Sequence, residues 1–364
     1  MELQDSLSIS LYSQLFEDAV SNECIALCPG MNGSFAKVKR KDTFYWYWSG
    51  RDVEGKSRKV YIGADNQQTR ELVGRLEERK GMATQAVGAM KRMAAAYLAA
   101  GGQANERLHF KLFAHLAQQQ LFRKGVLVVG SHAYVSICNA LCIRGGKGYA
   151  KTHDIDFARP QGISLAIPDE REFPADIPDA LKAFDRNFFL VPELDNNKPS
   201  TSLKNNKLGV KIDFLTVKRG SDNPVYFKDI GIAAHPLPFM DYLLSGQPMK
   251  GLIIGDYAIP VHLPEPARFA IHKLIVSEER PPHLKSKKLK DVEQASVLLD
   301  CLVADCREGV IDALSACLTI DGAVKNIRKS LQALGEIDAG ASRFIGSQLD
   351  LLQGNDEQAT IEIP

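Results

Sequence analysis

Hydrophobic and polar positions alternate along this chain with two different periods, and each change of period marks a new element. Leu7, Leu11, Leu15 and Ala19 fall one helical turn apart, predicting an amphipathic opening helix over residues 7 to about 28, closed by Pro29-Gly30. A period of two follows in residues 33–39, 43–48 and 58–63, three aromatic and β-branched segments separated by charged or glycine-containing turns. They predict a small three-stranded antiparallel meander. Residues 69 to 101 are rich in Ala, Glu, Lys, Arg and Met, the composition of a helix or helical pair that breaks at Gly101-Gly102. Leu108, Leu112 and Leu116 then predict a helix over residues 105–122.

The stretch Gly125-Val126-Leu127-Val128-Val129-Gly130-Ser131-His132 reads as a short buried strand running through a tight Gly-Ser turn into a helix beginning at about His132. Residues 144–151 form a loop of three glycines and three cations, as well suited to a triphosphate as to plain solvation. Residues 152–157 read as the next strand. Side chains on a strand repeat every two residues, so Asp154 and Asp156 share one face. Residues 163–167 suggest another strand, and a Pro/Asp/Glu-rich surface loop leads through Pro178 to a short helix. Residues 199–204 and 209–213 read as a hairpin through Asn205-Asn206, in which Val210, Ile212 and Phe214 alternate with Lys211 and Asp213.

The last third is helical. A helix from Pro266 turns Phe269, Leu274 and Val276 inward and places Lys273, Ser277 and Arg280 on one side. Another begins at Lys290-Asp291 with Leu289, Val292, Ser296, Leu299 and Val303 as its packing stripe, and residues after about Gly354 read as a mobile acidic tail.

Composition narrows the class without naming a partner. The chain has 364 residues, 45% hydrophobic and 24% charged with a formal net charge of +1, as expected for two or three soluble globular domains. No apolar run is long enough to span a bilayer and residues 1–5 lack the pattern of a secretory signal, so the expected location is cytoplasmic, without membrane. The seven cysteines lack zinc-site spacing and the eight histidines form no zinc motif; free thiols and structural histidines (His109, His115 and His235 among them) are expected. Walker-type, dinucleotide-binding and Gly-x-Ser-x-Gly patterns are absent.

Two carboxylates on one strand face repel unless a cation lies between them, and a hard divalent ion shared with substrate phosphates suits oxygen ligands. Acid-x-acid triplets arise by chance about five times in a chain of this acidity, so order and context carry the weight. Gly130-Ser131, then Asp154-Ile155-Asp156 on the next strand, then Asp213 on a later strand resembles the nucleotidyltransferase fold of the DNA polymerase beta superfamily. Within it the chain is similar to a bacterial group of nucleotidyltransferase-fold proteins, from about residue 33 to about residue 291. The resemblance implies an α+β fold: a mixed sheet with flanking helices, a small N-terminal meander and a C-terminal helical region. It implies transfer of a nucleoside monophosphate from an NTP, ATP among them, with Mg²⁺ (or Mn²⁺) held by Asp154, Asp156 and Asp213. Gly130 and Ser131 are expected at the phosphates. Lys273 matches a helix lysine that often faces the nucleotide in such proteins, although pairing with Glu278 or Asp291 accounts for it equally well.

Four regions follow: residues 1–66 (opening helix and meander), 67–104 (helical connector), 105–250 (core) and 251–364 (helical region with tail). The meander carries both tryptophans and a run of cations including Lys37, Lys39, Arg40 and Lys41. Such a mixture suits nucleic acid, which makes RNA, tRNA included, the expected acceptor, or else its alternate aromatics form a buried face with solvated lysines opposite. The rival expectation for the whole chain is a catalytically weak nucleotide- or RNA-binding module of a defence or toxin–antitoxin assembly. Retention of all three acids argues against it.

Overall fold

The computed structural model describes residues 3–23, 33–51, 57–146, 152–161, 176–195 and 197–361. The sequence-predicted strand at 163–167 and the loop cations Lys147 and Lys151 lie outside them. Asp5 caps α1 (Ser6–Ser21) by accepting a hydrogen bond from the Ser8 backbone N–H at 2.7 Å. The inner stripe of α1 is Ser8, Tyr12, Leu15 and Ala19, whereas Leu7 is 60% exposed, which corrects the leucine-based stripe. The phase is set by Tyr12 and Leu15, which share a small core with Met90, Ala94 and Tyr97.

The strands β1 (Gly33–Arg40), β2 (Thr43–Arg51) and β3 (Ser57–Ala64) pair antiparallel in chain order, as expected. The buried aromatic face offered as one reading of this meander is not formed: none of the described residues in the three strands is fully buried. The sheet is too small to fold over itself, and among the described elements α2 (Gln67–Ala99) leans on it. Trp46 Nε1 donates to Asp65 Oδ1 at 3.0 Å, and Lys37 and Arg70 pair with the same carboxylate. These ties bind the Trp46 face to the start of α2, which is one unbroken helix of 33 residues and about 50 Å.

The core follows with α3 (Arg107–Gln118), β4 (Leu127–Val129), α4 (Gly130–Ala140), β5 (Asp154–Ala158), α5 (Ile177–Phe184), β6 (Phe189–Leu190), β7 (Ser202–Asn205), β8 (Val210–Val217), β9 (Val225–Phe227), β10 (Ile232–Leu237), α6 (Met240–Leu244), β11 (Met249–Ile254) and β12 (Ala258–Leu263). Its mixed sheet has the order β11-β12-β4-β5-β8-β10-β9, with β7 along the first half of β8 and β6 beyond it. The predicted hairpin is β7 and β8, paired antiparallel. Four consecutive apolar residues make β4 a strand buried on both faces, as a central position requires.

The C-terminal region comprises α7 (Pro266–Glu278), α8 (Lys285–Asp305), α9 (Arg307–Cys317), α10 (Ala323–Ile337) and α11 (Ala339–Ile361). Two readings change here. The α7 helix is buried on nearly every side, Lys273 and Ser277 included, while Val276 is only half-buried and Arg280 lies past its end. The α8 helix starts at Lys285, and Leu289 is 52% exposed, so Asp291, Val292, Ala295 and Leu299 form the packing stripe instead. The apolar residue next to a run of lysines follows them outward. Helix α11 continues to Ile361, through the stretch that composition assigns to a mobile tail.

Asp65 gathers Trp46, Lys37 and Arg70 into one node, and these partners hold its carboxyl well below the usual range. Asp65→Ala should therefore loosen the meander alone. Because both tryptophans of the chain lie in β2, the check is their emission: a red shift with the core melting transition unchanged is expected, and unshifted emission would show that the node does not hold the sheet.

Candidate active site

The strands β5 and β8 run parallel with Asp156 directly beside Asp213; Val129 is the neighbour on the far side of Asp156, and Ser202 on the far side of Asp213. Asp154 precedes by two residues and shares the face, opposite Lys211. Along β8, Val210, Ile212 and Phe214 are buried while Lys211 and Asp213 are half-buried, so alternation alone brings a lysine onto the acidic face. Lys211 Nζ lies 2.7 Å from Asp213 Oδ1, and Ser202 Oγ donates to the same oxygen.

The turn from β4 into α4 passes through Gly130, whose φ is +65° and where an added Cβ would stand 2.2 Å from Asp156 Oδ2. Glycine is thus required twice, for the left-handed backbone and for the close approach of the acid. Val129, the residue before α4, gives no side-chain cap, so the first-turn N–H groups have no side-chain partner there. Such a helix start suits phosphate oxygens. Asp156 sits between these features, and its carboxyl is pushed up to about 6 by burial first and then by Asp213 and Asp154.

Across from the sheet stand α7 and α8, and the space between is a cleft of about 810 Å³. Lys273 Nζ lies 2.8 Å from Asp291 Oδ1, and Arg280 approaches Asp291 Oδ2 at 2.9 Å. Burial raises the Asp291 carboxyl, but the two cations together hold it below the usual range. Lys287 and Lys290 join this wall, and burial followed by the Lys273 charge lowers the Lys290 ammonium. His272 is pushed down to about 3, mainly by burial, so it is neutral, and its Nε2 has no partner among the described residues. The remaining end of the cleft is apolar, with Leu237, Pro238, Phe239, Met240 and Phe269. Phe239 has φ +63°, an uncommon conformation for a bulky residue.

Gly130, Ser131, Asp154, Asp156, Asp213 and Lys273, singled out on six separate positions of the sequence, all line this one cleft. Lys37, Lys39, Arg40 and Lys41 do not; they belong to the meander and the turn after β1. Lys218, just past β8, pairs with Asp222 at 2.7 Å. His235 lines the cleft, and His109 packs its ring against His132 with centroids 4.9 Å apart. Sequence reasoning missed Lys211, Ser202 and Lys287. Lys211 was within reach, since it stands two residues before Asp213.

The donor set fits a hard divalent cation in chemistry: three carboxylates on one face of two adjacent strands, one of them resisting ionisation because it is buried beside the other two. Among the described residues, however, no group of three or more acids, histidines or cysteines is already gathered for an ion. Asp213 is turned to Lys211 and Ser202, so a metal bound by all three acids has to compete with that lysine.

Comparison with protein-family models gives a match over residues 107–318 to a nucleotidyltransferase family. No curated protein and no solved structure matches the chain.

Two outcomes test the geometry. Gly130→Ala forces a methyl group into Asp156 and a left-handed alanine, and should lower the melting midpoint, by about 1–3 kcal/mol of stability for the strained conformation alone. An unchanged midpoint would mean that the turn is not built as described. Asp156 has a carboxyl raised from 3.8 to about 6, so its contribution is greatest below the unfolded value and is lost as pH rises through about 6. Metal-free Asp156→Asn should accordingly gain on the parent as pH rises from 4 to 6, reaching at most about 3 kcal/mol near pH 7. Calorimetric melting at several pH values checks this; a loss of stability at pH 7 would give Asp156 a structural role.

Proposed function

This chain belongs to the nucleotidyltransferase family and is a transferase, and from that premise we propose that it moves a nucleoside monophosphate from an NTP to an acceptor hydroxyl, with a divalent metal ion, Mg²⁺ or Mn²⁺. The observation that carries this reading is the placement of Asp156 beside Asp213 within contact of the Gly130 turn, facing a wall of cations. Asp154, Asp156 and Asp213 are the residues that would hold the metal. When bound, such an ion neutralises triphosphate oxygens and lowers the pKa of a coordinated hydroxyl.

The chain's own groups account for the rest. First-turn N–H groups of α4, with Gly130 and Ser131, bind phosphate oxygens that lie beyond the α-phosphorus. Lys273 meets the same charge from the helical wall, its ammonium directed by Asp291; one hydrogen bond to that acid leaves two donors for phosphate. Asp213, at the outer side of the acid pair and next to Ser202, orients the acceptor hydroxyl and draws on its proton. The acceptor oxygen forms a bond to the α-phosphorus, the bond from the α-phosphorus to the bridging oxygen breaks, and pyrophosphate leaves. Ser202 and Lys211 keep the Asp213 carboxylate aimed before substrate arrives. The apolar end around Phe239 and Phe269 takes the uncharged part of a nucleotide. The acceptor is RNA, tRNA included, brought by the meander, in which Lys39, Arg40 and Lys41 are exposed. Lys37 is instead engaged with Asp65.

Incubation with each α-labelled NTP, Mg²⁺ or Mn²⁺ and total cellular RNA should place label in RNA, and Asp154→Asn or Asp156→Asn should abolish it. No label in RNA, protein or small products with any NTP would overturn the reading. Lys273→Met should weaken NTP binding about tenfold, equivalent to about 1.4 kcal/mol, and NMP binding less. Equal affinities of both proteins in calorimetric titration would remove Lys273 from the phosphate site.

A further inference from the structure

Strand alternation gives the meander two unlike faces. One carries Phe35, Lys37 and Lys39 opposite Trp48, Trp46 and Phe44, and is tied through Asp65 to α2. The other carries Val38 opposite Tyr45, and Tyr47 opposite both Ala36 and Tyr61. Among the described residues this second face stays open: Ser34, Ala36, Arg40 and Lys59 are exposed and Tyr61 is 55% exposed. Its three tyrosine rings form a row, with centroids 6.1 Å apart between Tyr45 and Tyr61 and 5.6 Å between Tyr47 and Tyr61. Two cations lie over the row: Lys59 Nζ is 4.7 Å and Arg40 Cζ 5.7 Å from the Tyr47 ring centre.

We propose that this tyrosine face binds single-stranded RNA, a role that rests on the transfer reaction above and names how its acceptor is held. Three aromatic rings on an open sheet, with two cations gathered at Tyr47, offer planes for unpaired bases and charges for the phosphates between them. A duplex hides the base faces that such rings need. A second copy of the chain is disfavoured by charge, since residues 33–64 carry eight Lys and Arg against three acids while the whole chain has a formal net charge of only +1. Face-to-face pairing of two such sheets sets like charge on like charge. A lipid surface fits poorly as well: membrane-binding elements segregate rings from cations, whereas here both occupy one face. The long α2 separates this sheet from the helix's packed C-terminal turns, where Met90, Ala94 and Tyr97 lie in the small core. An extended polymer is a ligand able to engage such an outlying sheet and the cleft together.

The test is fluorescence anisotropy of the full-length protein with labelled oligoadenylate, across a salt series. Tyr47→Ala with Tyr61→Ala should weaken binding on the order of tenfold or more, while Tyr→Phe at both positions should keep it, since stacking needs the ring. Arg40→Gln and Lys59→Gln, which leave the rings and fold intact, should each reduce the salt slope by about one. Absence of binding by the parent, equal binding to duplex RNA, or undiminished binding by the alanine pair would each overturn the proposal. If labelled monophosphate is transferred but the strand does not bind, this face falls and the transferase reading stands; if the strand binds here and no NTP yields label, the transferase reading falls.

Discussion

Two carboxylates held side by side on parallel strands are the constraint from which the rest of this structure can be read. The register places Asp156 beside Asp213; Asp156 closes on the Gly130 turn, where only a glycine leaves it space, and Ser202 and Lys211 hold Asp213. Burial first, and then repulsion by Asp213 and Asp154, makes Asp156 reluctant to ionise. A scaffold has no use for such an arrangement; a site that gains a cation and a polyanionic substrate does. The helical wall answers in kind, with Lys273 and Arg280 fixed by one buried acid, Asp291, and Lys287 and Lys290 beside them. Charge is therefore separated across the cleft, negative on the sheet and positive on the helices.

Rigid elements supply this placement. The acids stand on central strands and Lys273 on a helix buried on nearly every side. The meander is built on the opposite plan, a small sheet with no fully buried residue among those described, tied to one end of a long helix by the Asp65 node. One part of the chain resists movement where chemistry needs accuracy, and the other offers surface where recognition needs contact.

How much of this the sequence disclosed depended on whether local pattern or tertiary contact decides the outcome. Period-two alternation put the acids on their strand faces, the glycine flanked by an apolar run located the turn, and resemblance with helical spacing pointed to Lys273; all six expected core residues line one cleft. The meander's strands were equally legible, because aromatic and β-branched runs between turns have no other use. What alternation could not tell was whether the aromatic face is covered: that depends on a helix elsewhere in the chain. The stripes of α1 and α8 slipped for a related reason. Tyr12 and Asp291 take inward positions through distant partners, Tyr97 in one case and Lys273 with Arg280 in the other, and no local period announces them. Lys211 was hidden by habit of reading, since a lysine among acids looks solvated until the register sets it against Asp213.

Burial and the neighbouring acids Asp213 and Asp154 keep Asp156 from ionising, and a divalent ion would offset both. Calorimetric titration of Mn²⁺ into the apo protein, repeated in buffers of different ionisation enthalpy, measures protons released on binding. With the Asp156 carboxyl at about 6, ion binding at pH 6 should release about half a proton, falling towards zero at pH 8 and absent in Asp156→Asn. Binding with no proton release at pH 6, or unchanged binding and release in Asp156→Asn, would contradict the account.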